Sequence, residues 1–230
     1  MNLTIFRSIF DWAEVWALLI PLAVIIIRKP VANWSRPVKW YVLAALFLNI
    51  CSNIFWYINK YELFGSRPGH RWNNNVFYNL NSVGRLLLFA WFFNLLRQRF
   101  MHRIKAVIPF AFLAFVMINF IFFENFIPSK NEIFSSRLLS TEAALLLFYC
   151  LQYFIYLVIE DKTVGLTKQP GFWTVTGLSI YVAVSFFIFL FYDYLRVASN
   201  EFAVNIWDVH NTAFIIFCIL ISKQFYQKNG

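Results

Sequence analysis

Charged residues are scarce in this chain of 230 residues, of which only 13% are Asp, Glu, Lys or Arg. An ordinary soluble domain carries about 25% charged residues. Here 60% of the residues are hydrophobic, 29 residues are phenylalanine, and the mean hydropathy is +0.61. The scarcity of charge excludes an ordinary soluble domain and indicates a protein that lies within a lipid bilayer.

Cysteine and histidine are also rare, with three residues of each. Cys51, Cys150 and Cys218 all fall in apolar stretches and form no CxxC pair, so the sequence indicates neither a disulfide framework nor a zinc site. Membrane metal hydrolases and di-iron enzymes need clusters of His or acidic ligands, which this sequence lacks. It also contains no P-loop, dinucleotide fingerprint or nucleophile elbow. We therefore predict no metal, no cofactor and no enzyme.

Long apolar stretches are abundant, and a transmembrane helix needs roughly 20 such residues. Seven stretches are separated by short polar connections, none of which is long enough to fold as a separate domain. The predicted spans are residues 5–27, 38–59, 76–96, 106–123, 136–159, 172–192 and 203–222. We therefore predict an all-α, polytopic membrane protein with seven transmembrane helices in a single domain, residues 1–230.

The distribution of Lys and Arg predicts how the helices are oriented, because these residues collect on the cytoplasmic side of membranes. Most of the 20 Lys and Arg residues fall in the connections after the odd-numbered spans and in the C-terminal segment. The densest group is the basic segment, residues 97–105, RQRFMHRIK. This pattern places the N-terminus outside and the C-terminus in the cytoplasm. The same pattern explains the formal net charge of +9, because basic residues at the cytoplasmic surface bind lipid headgroups. We therefore predict the lipid bilayer as a partner and no binding of nucleic acid.

A weak internal similarity relates the first three spans to the last three. The sequence NVFYNLNSV from Asn75 in the third span aligns with NIWDVHNTA from Asn205 in the seventh. Trp40 and Trp173 stand in the same way near the starts of the second and sixth spans. The similarity predicts a 3+1+3 arrangement, in which two parallel triplets flank an unpaired fourth helix, as occurs among transporters. Chance similarity between apolar segments is the alternative.

One arginine, Arg85, lies deep within the third apolar stretch. Charges inside a membrane span cost about 2.5 to 3.5 kcal/mol on insertion scales, so they tend to face the bundle interior and to pair. Tyr78, Asn81, Ser82 and Arg85 are spaced as i, i+3, i+4 and i+7, which places them on one face of a helix. That face should point into the bundle.

The partner of Arg85 should be an acidic residue at a similar depth. Glu142 is the first choice, because the fifth span enters the membrane from the same side as the third. Asp208 in the seventh span and Glu14 in the first are the alternatives. Arg85 then holds the bundle together through an ion pair, or it binds the carboxylate or phosphate of a ligand. The sequence leaves both uses open.

Polar faces of the other spans lie at the same depth. Helical spacing puts Asp208, Asn211 and Thr212 on one face of the seventh span and His210 on another. A polar pocket open to the outside is therefore expected, although polar stripes also hold helices together without any ligand. Acid or base catalysis by Asp208, His210 or Glu142 is left open. The residues expected at the pocket are Arg85, Glu142, Asp208, His210, Asn211, Asn81, Asn53, Glu14, Asp11 and Tyr181.

The last two spans carry a resemblance to a known group of proteins. The sequences PGFWTVTGLSIYVAVSFFIFLF and NIWDVHNTAFIIF resemble those of uncharacterised seven-helix bacterial inner-membrane proteins, some of which are similar to the membrane parts of sensor kinases. The resemblance implies a sensory role in a bacterial inner membrane, and it carries over no catalytic residue. A retinal protein is excluded despite the helix count, because the only lysine of the seventh helix, Lys223, lies at its cytoplasmic end.

These patterns favour a receptor-like sensor. A small ligand would bind in the outer half of the bundle, and a helix shift would reach a separate protein partner through the basic segment or the C-terminal sequence SKQFYQKNG. A small-solute transporter of the 3+1+3 type is the alternative. It needs a polar path to the cytoplasm, for which the inner halves of the helices offer little beyond Gln152, Thr174 and Thr176. A structural subunit of a membrane assembly is the third possibility.

Overall fold

The computed structural model describes residues 10–29, 32–61, 75–96, 101–125, 135–160, 165–198 and 200–227. Within these ranges the chain forms seven α-helices and no β-strand, which confirms the all-α prediction. A π-helical turn, Asn119–Phe123, extends the fourth helix. In chain order the helices are α1 (Ala13–Arg28), α2 (Arg36–Tyr61), α3 (Asn75–Leu95), α4 (His102–Ile118), α5 (Ser136–Ile159), α6 (Phe172–Ala198) and α7 (Asn200–Tyr226).

Six helices in the described part of the chain are long and apolar enough to cross a membrane. They correspond to the second to seventh predicted spans and support an integral membrane protein. The described part of α1 has 16 residues, about 24 Å at 1.5 Å per residue. The predicted first span begins at residue 5, and residues 1–9 lie outside the described part. A seventh span and the orientation of the termini therefore stay predictions. The candidate spans are Asn33–Ile58, Val76–Leu95, His102–Phe123, Ser136–Ile159, Phe172–Tyr192 and Asn205–Tyr226.

Six of the helices pack as a closed ring. Going round the ring, α1 packs against α2, α2 against α3, α3 against α5, α5 against α6, α6 against α7, and α7 against α1. The first triplet, α1 to α3, and the second triplet, α5 to α7, therefore meet at two seams, one between α3 and α5 and one between α7 and α1. Each seam brings the third helix of one triplet against the first helix of the other.

The fourth helix lies outside this ring, against α3 and α5. Only a narrow stripe of α4 is buried, including Ile108 and Phe112, whereas Phe110 and Met117 are exposed on the bundle surface. Its far end is tied to α5, because the Asn119 amide donates to Ser135 Oγ at 3.4 Å. Ser135 also caps α5 by accepting a hydrogen bond from the Leu138 backbone N–H at 3.0 Å, which fixes where α5 begins. The peripheral position of α4 agrees with its predicted place between the triplets.

The particular alignment behind the predicted repeat does not place matched residues in matching surroundings. Asn79 and Ser82 of α3 are buried. Their aligned counterparts in α7, Val209 and Thr212, are exposed. The alignment of Asn75 with Asn205 is therefore half a helical turn or more out of phase with the packing. The repeat itself stays a prediction, now supported by the order of the helices rather than by that alignment.

An aromatic layer fills the centre of the ring. Tyr41, Phe89 and Phe217 lie with their ring centroids 5.0 to 5.9 Å apart, and Phe93 stacks on Tyr149 at 5.1 Å. These five residues, which we call the aromatic layer, are each at most 1% exposed. Since lipid tails are as apolar as phenylalanine, such a layer stabilises the bundle through close packing rather than through escape from water. Each well-placed aromatic pair adds about 0.5 to 1.5 kcal/mol.

Two helices approach each other closely near this layer, at Gly177 of α6. A Cβ atom at this position would lie 3.0 Å from Leu220 Cβ and 3.2 Å from Phe217 Cα of α7. A Cβ atom at Gly84 of α3 would meet nothing within 4 Å. Small residues at helix contacts let membrane helices pack closely. Gly177 is therefore required by the contact between α6 and α7, and Gly84 is not required by any contact of this kind.

We expect Gly177→Ala to destabilise the bundle by about 1 to 3 kcal/mol, because the backbone of α7 must move away. Gly84→Ala is the matched control and should leave stability unchanged or raise it by about 1 kcal/mol, since alanine favours helix more than glycine does. Thermal unfolding of both variants in the same detergent measures the difference. Equal melting temperatures would contradict the close contact at Gly177.

Candidate functional site

A buried ion pair between Arg85 of α3 and Glu142 of α5 crosses the first seam. Arg85 Nε donates to Glu142 Oε1 at 2.5 Å, and Nη2 donates to Oε2 at 2.6 Å. The side chains are 5% and 0% exposed. Ser82 Oγ donates a further hydrogen bond to Glu142 Oε2 at 2.9 Å. The predicted pairing is confirmed, with the two-pronged geometry that makes arginine–carboxylate pairs strong.

The second triplet also reaches Arg85 through Tyr181 of α6. Arg85 Nη1 donates to the Tyr181 hydroxyl oxygen at 2.5 Å. The Tyr181 ring stacks on Phe217 of the aromatic layer, with centroids 5.5 Å apart and planes 5° apart. The charge of Arg85 is thus held by α5 and α6, and Tyr181 lies between it and Phe217 of the aromatic layer. Tyr181 was expected near the pocket, but its hydrogen bond to Arg85 could not be read from the sequence.

A second base and acid face each other at the other seam. His210 Nε2 of α7 lies 3.8 Å from Glu14 Oε1 of α1. This distance exceeds that of a hydrogen bond. His210 Nδ1 shares a hydrogen bond with Ser185 Oγ of α6 at 3.2 Å. The His210 ring is stacked on Trp207, with centroids 5.1 Å apart. His210 therefore faces the bundle interior, as a hydrogen-bonded residue of the core.

These two seams belong to one buried polar cluster. Tyr181, which accepts a hydrogen bond from Arg85, packs its ring against His210 with centroids 5.2 Å apart, and the Asn49 amide of α2 donates to the Glu14 backbone oxygen at 3.3 Å. Five helices of the ring, α1, α3, α5, α6 and α7, thus contribute side chains to one connected group, and α2 contacts it through Asn49. We call it the polar cluster and define it as Ser82, Arg85, Glu142, Tyr181, Ser185, His210 and Glu14.

Several expected pocket residues lie beside the polar cluster rather than in it. Asp208 is half-buried, and among the described residues Arg85 pairs with Glu142 rather than with Asp208. Asn53 is half-buried, and its amide donates to the Asn49 backbone oxygen of its own helix at 2.9 Å. Asn81 is half-buried and Asp11 is exposed. Thr212 is exposed, and its Oγ1 donates to the Asp208 backbone oxygen at 2.8 Å, so the face that was expected to line the pocket lies partly on the bundle surface.

Asn211 is buried next to the polar cluster, and its amide nitrogen donates to the Phe10 backbone oxygen at 3.1 Å. Its amide oxygen, the Tyr41 hydroxyl and both amide atoms of Asn79 are buried with no hydrogen-bond partner in the part of the chain that the structure describes. Sequence reasoning missed Tyr41 and Asn79. Asn79 was visible as a polar residue within an apolar span, whereas Tyr41 looked like any other aromatic.

No group of three or more His, Cys, Asp or Glu side chains within the described ranges is arranged to hold a metal ion. Comparison of the chain with models of known protein families, with curated proteins and with solved structures gave no match. The resemblance to seven-helix bacterial membrane proteins therefore stays a prediction.

Proposed function

We propose that the chain is a receptor-like sensor of a bacterial inner membrane, with its N-terminus outside and its C-terminus in the cytoplasm. A small ligand binds at the polar cluster, and a helix shift passes to a separate protein at the cytoplasmic end. The observation that carries this proposal is the continuity of α5. One helix supplies Glu142 to the polar cluster and also holds the start of α4, where the basic segment ends.

The contacts between α5 and α4 support this route. The Tyr149 hydroxyl donates to the Lys105 backbone oxygen at 2.7 Å, and the Gln152 amide contacts Met101 Sδ at 3.2 Å. Tyr149 follows Glu142 by seven residues, about 10 Å along the helix. Lys105, the last residue of the basic segment, is 1% exposed. A movement of α5 at the polar cluster would therefore displace the start of α4; residues 97–100 of the basic segment lie outside the described part.

The aromatic layer favours a sensor over a channel-like path. It lies one to two helical turns beyond Arg85 and Glu142 along α3 and α5, and its rings pack as a group of three, Tyr41, Phe89 and Phe217, and a pair, Phe93 and Tyr149. Gln152 and Thr174, which the transporter alternative would need, are buried further along their helices. Fully buried aromatic rings thus lie between the polar cluster and these two residues, where a transporter would need polar groups.

Unpartnered polar atoms support a ligand at the polar cluster. The Tyr41 hydroxyl is buried without a partner among the described residues, and the Tyr41 ring packs against Phe217, on which Tyr181 of the polar cluster is stacked. Burying an unbonded polar group costs about 1 to 3 kcal/mol. A ligand that bonds Tyr41 would recover this cost when it binds.

Tyr41→Phe should therefore separate ligand binding from folding. Without ligand, the variant should be as stable as the wild type or more stable by about 1 kcal/mol, because it loses only an unpaired hydroxyl. A panel of small amines, carboxylates and sugars is screened by thermal unfolding, where a ligand at one hundred times its Kd stabilises by about 2.7 kcal/mol. The compound that stabilises the wild type should stabilise Tyr41→Phe less.

Tyr149→Phe is the matched control, since the Tyr149 hydroxyl is bonded to Lys105 and lies beyond the polar cluster. It should lower the stability of the unliganded protein by about 1 kcal/mol and leave the ligand effect unchanged. The proposal fails if no compound stabilises the wild type, or if Tyr41→Phe and Tyr149→Phe respond alike.

A small-solute transporter is the second candidate. It is favoured by the two seams, each of which carries a base from the third helix of one triplet and an acid from the first helix of the other. Such pseudo-symmetric halves rock against each other around a central site in transporters of the repeat type. Flux of the bound ligand across a membrane distinguishes the two functions.

A further inference from the structure

We propose that the ligand of this site is an organic cation, a primary or quaternary amine, held by the Glu14 carboxylate beside the aromatic pair of Tyr78 and Trp207. The inference rests on the proposed ligand-binding function and specifies its chemistry. It starts from the charges of the polar cluster, which contains one arginine and two carboxylates.

Arg85 already has a counter-charge, and an anionic ligand would have to compete with it. Both oxygens of Glu142 are bonded to its guanidinium, at 2.5 and 2.6 Å, and its remaining arm is bonded to Tyr181 at 2.5 Å. A ligand carboxylate would have to displace a bidentate pair that is almost fully buried. This arrangement disfavours the carboxylate or phosphate ligand that the sequence left open.

Glu14 is in the opposite situation. The side chain of Glu14 keeps 16% of its exposure, whereas that of Glu142 keeps none. The nearest basic group that bridges to it, His210 Nε2, lies at 3.8 Å and carries charge only when it is protonated. Carboxylates within membrane spans usually pair with a cation. A ligand ammonium at Glu14 would supply that cation at a carboxylate that is still within reach.

Two aromatic rings lie near the contact between Glu14 and His210. Tyr78 of α3 and Trp207 of α7 form an edge-to-face pair, with centroids 6.4 Å apart and planes at 79°. Trp207 stacks on His210, whose Nε2 lies 3.8 Å from Glu14 Oε1, so the aromatic pair is joined to the carboxylate through His210. A carboxylate beside Trp and Tyr faces is the arrangement that recognises ammonium groups, because the ring faces attract a cation as water is removed.

An unpaired acceptor belongs to Asn211 of α7, the residue that follows His210. The amide nitrogen of Asn211 is bonded to the Phe10 backbone oxygen, one helical turn before Glu14 in the chain. The amide oxygen of Asn211 is buried without a partner in the described ranges, and the residue is 1% exposed. This oxygen accepts a hydrogen bond from an ammonium or hydroxyl group, which again fits a cationic or donor-bearing ligand.

Isothermal titration calorimetry on the full chain in lipid nanodiscs tests the inference, with choline chloride and methylammonium chloride as probes. Sodium acetate and glycerol serve as anionic and neutral comparisons at equal ionic strength. At least one cation should bind saturably, and Glu14→Gln should weaken it by about tenfold or more, because a charge-assisted contact is lost. Asp208→Asn, which removes a half-buried carboxylate of α7, should change the affinity by less than about twofold.

Trp207→Phe provides a second variant that keeps an aromatic ring, should Glu14→Gln fold poorly. This variant should lower the affinity for the cation by about threefold, since tryptophan attracts cations more strongly than phenylalanine does. If acetate or glycerol binds and neither cation does, the proposal of a cationic ligand is wrong, and the receptor proposal still holds. Unchanged cation affinity in Glu14→Gln would also overturn it. If neither the four probes nor the wider thermal screen gives binding, both proposals fall together.

Discussion

Replacement of Glu142 by glutamine is expected to destabilise the folded bundle by about 3 to 5 kcal/mol. The change leaves Arg85, 5% exposed, as a buried charge without its counter-charge. Glutamine has the same shape, so the loss reports the charge rather than a cavity. Thermal or denaturant unfolding in mixed micelles measures it.

The same substitution at a surface pair is the control. Glu124 lies 3.9 Å from Arg137, whose side chain is 62% exposed, and such pairs contribute about 1 kcal/mol or less. Glu124→Gln should therefore have little effect. Removal of both charges, in the double variant Arg85→Met with Glu142→Leu, should recover most of the stability lost in Glu142→Gln. Equal effects of Glu142→Gln and Glu124→Gln would contradict a structural ion pair.

Phe217→Ala is expected to destabilise the bundle by about 3 to 5 kcal/mol. Phe217 is fully buried and contacts the rings of Tyr41, Phe89 and Tyr181. Its removal opens a cavity that the stiff neighbouring rings fill poorly. Unfolding of the purified variant at several denaturant concentrations gives the free energy.

Phe187→Ala is the matched control, because Phe187 lies on the outer surface of α6 and is 61% exposed. Lipid replaces the lost ring there, so the expected effect is below about 1 kcal/mol. The two Phe→Ala variants thus distinguish the contribution of close packing in the core from that of apolar surface facing lipid. If both variants lose the same stability, the aromatic layer is not a specifically packed element.

The ion pair could be predicted because two independent rules agreed on it. Arg85 and Glu142 are both rare charges within apolar spans. Their spans are predicted to enter the membrane from the same side, which places the two residues at similar depths. Burial cost then requires that they pair. The helix spans were predictable for the same reason, since each backbone segment in a membrane must satisfy its own hydrogen bonds.

The faces of α7 could not be assigned with the same success. In a soluble helix the polar face points outward, but both faces of a membrane helix are apolar, so hydrophobic periodicity hardly marks the interior. Asp208 and Thr212 suggested one interior face. The structure instead buries His210 and Asn211 and leaves Thr212 exposed, because the positions of α1 and α6 on either side of α7 decide which residues are covered.

Hydrogen-bond satisfaction was the least predictable feature. Tyr41 and Asn79 belong to spans that read as ordinary membrane helices. That their polar atoms are buried without partners among the described residues depends on neighbours from helices distant in the chain. The second seam, His210 against Glu14, likewise follows from the ring order, which the sequence predicted only as a division into triplets.

A sensor binds its ligand without carrying it across the membrane. The most direct test therefore measures binding and flux of one ligand in the same preparation. Proteoliposomes containing the full chain are incubated with radiolabelled choline, or with the ligand that the thermal screen identifies, and bound and internal label are followed over time. For a sensor, we expect saturable binding that reaches a plateau near one ligand per protein molecule, with no accumulation of label in the lumen. Time-dependent accumulation that Tyr41→Phe reduces would contradict the sensor and establish the transporter.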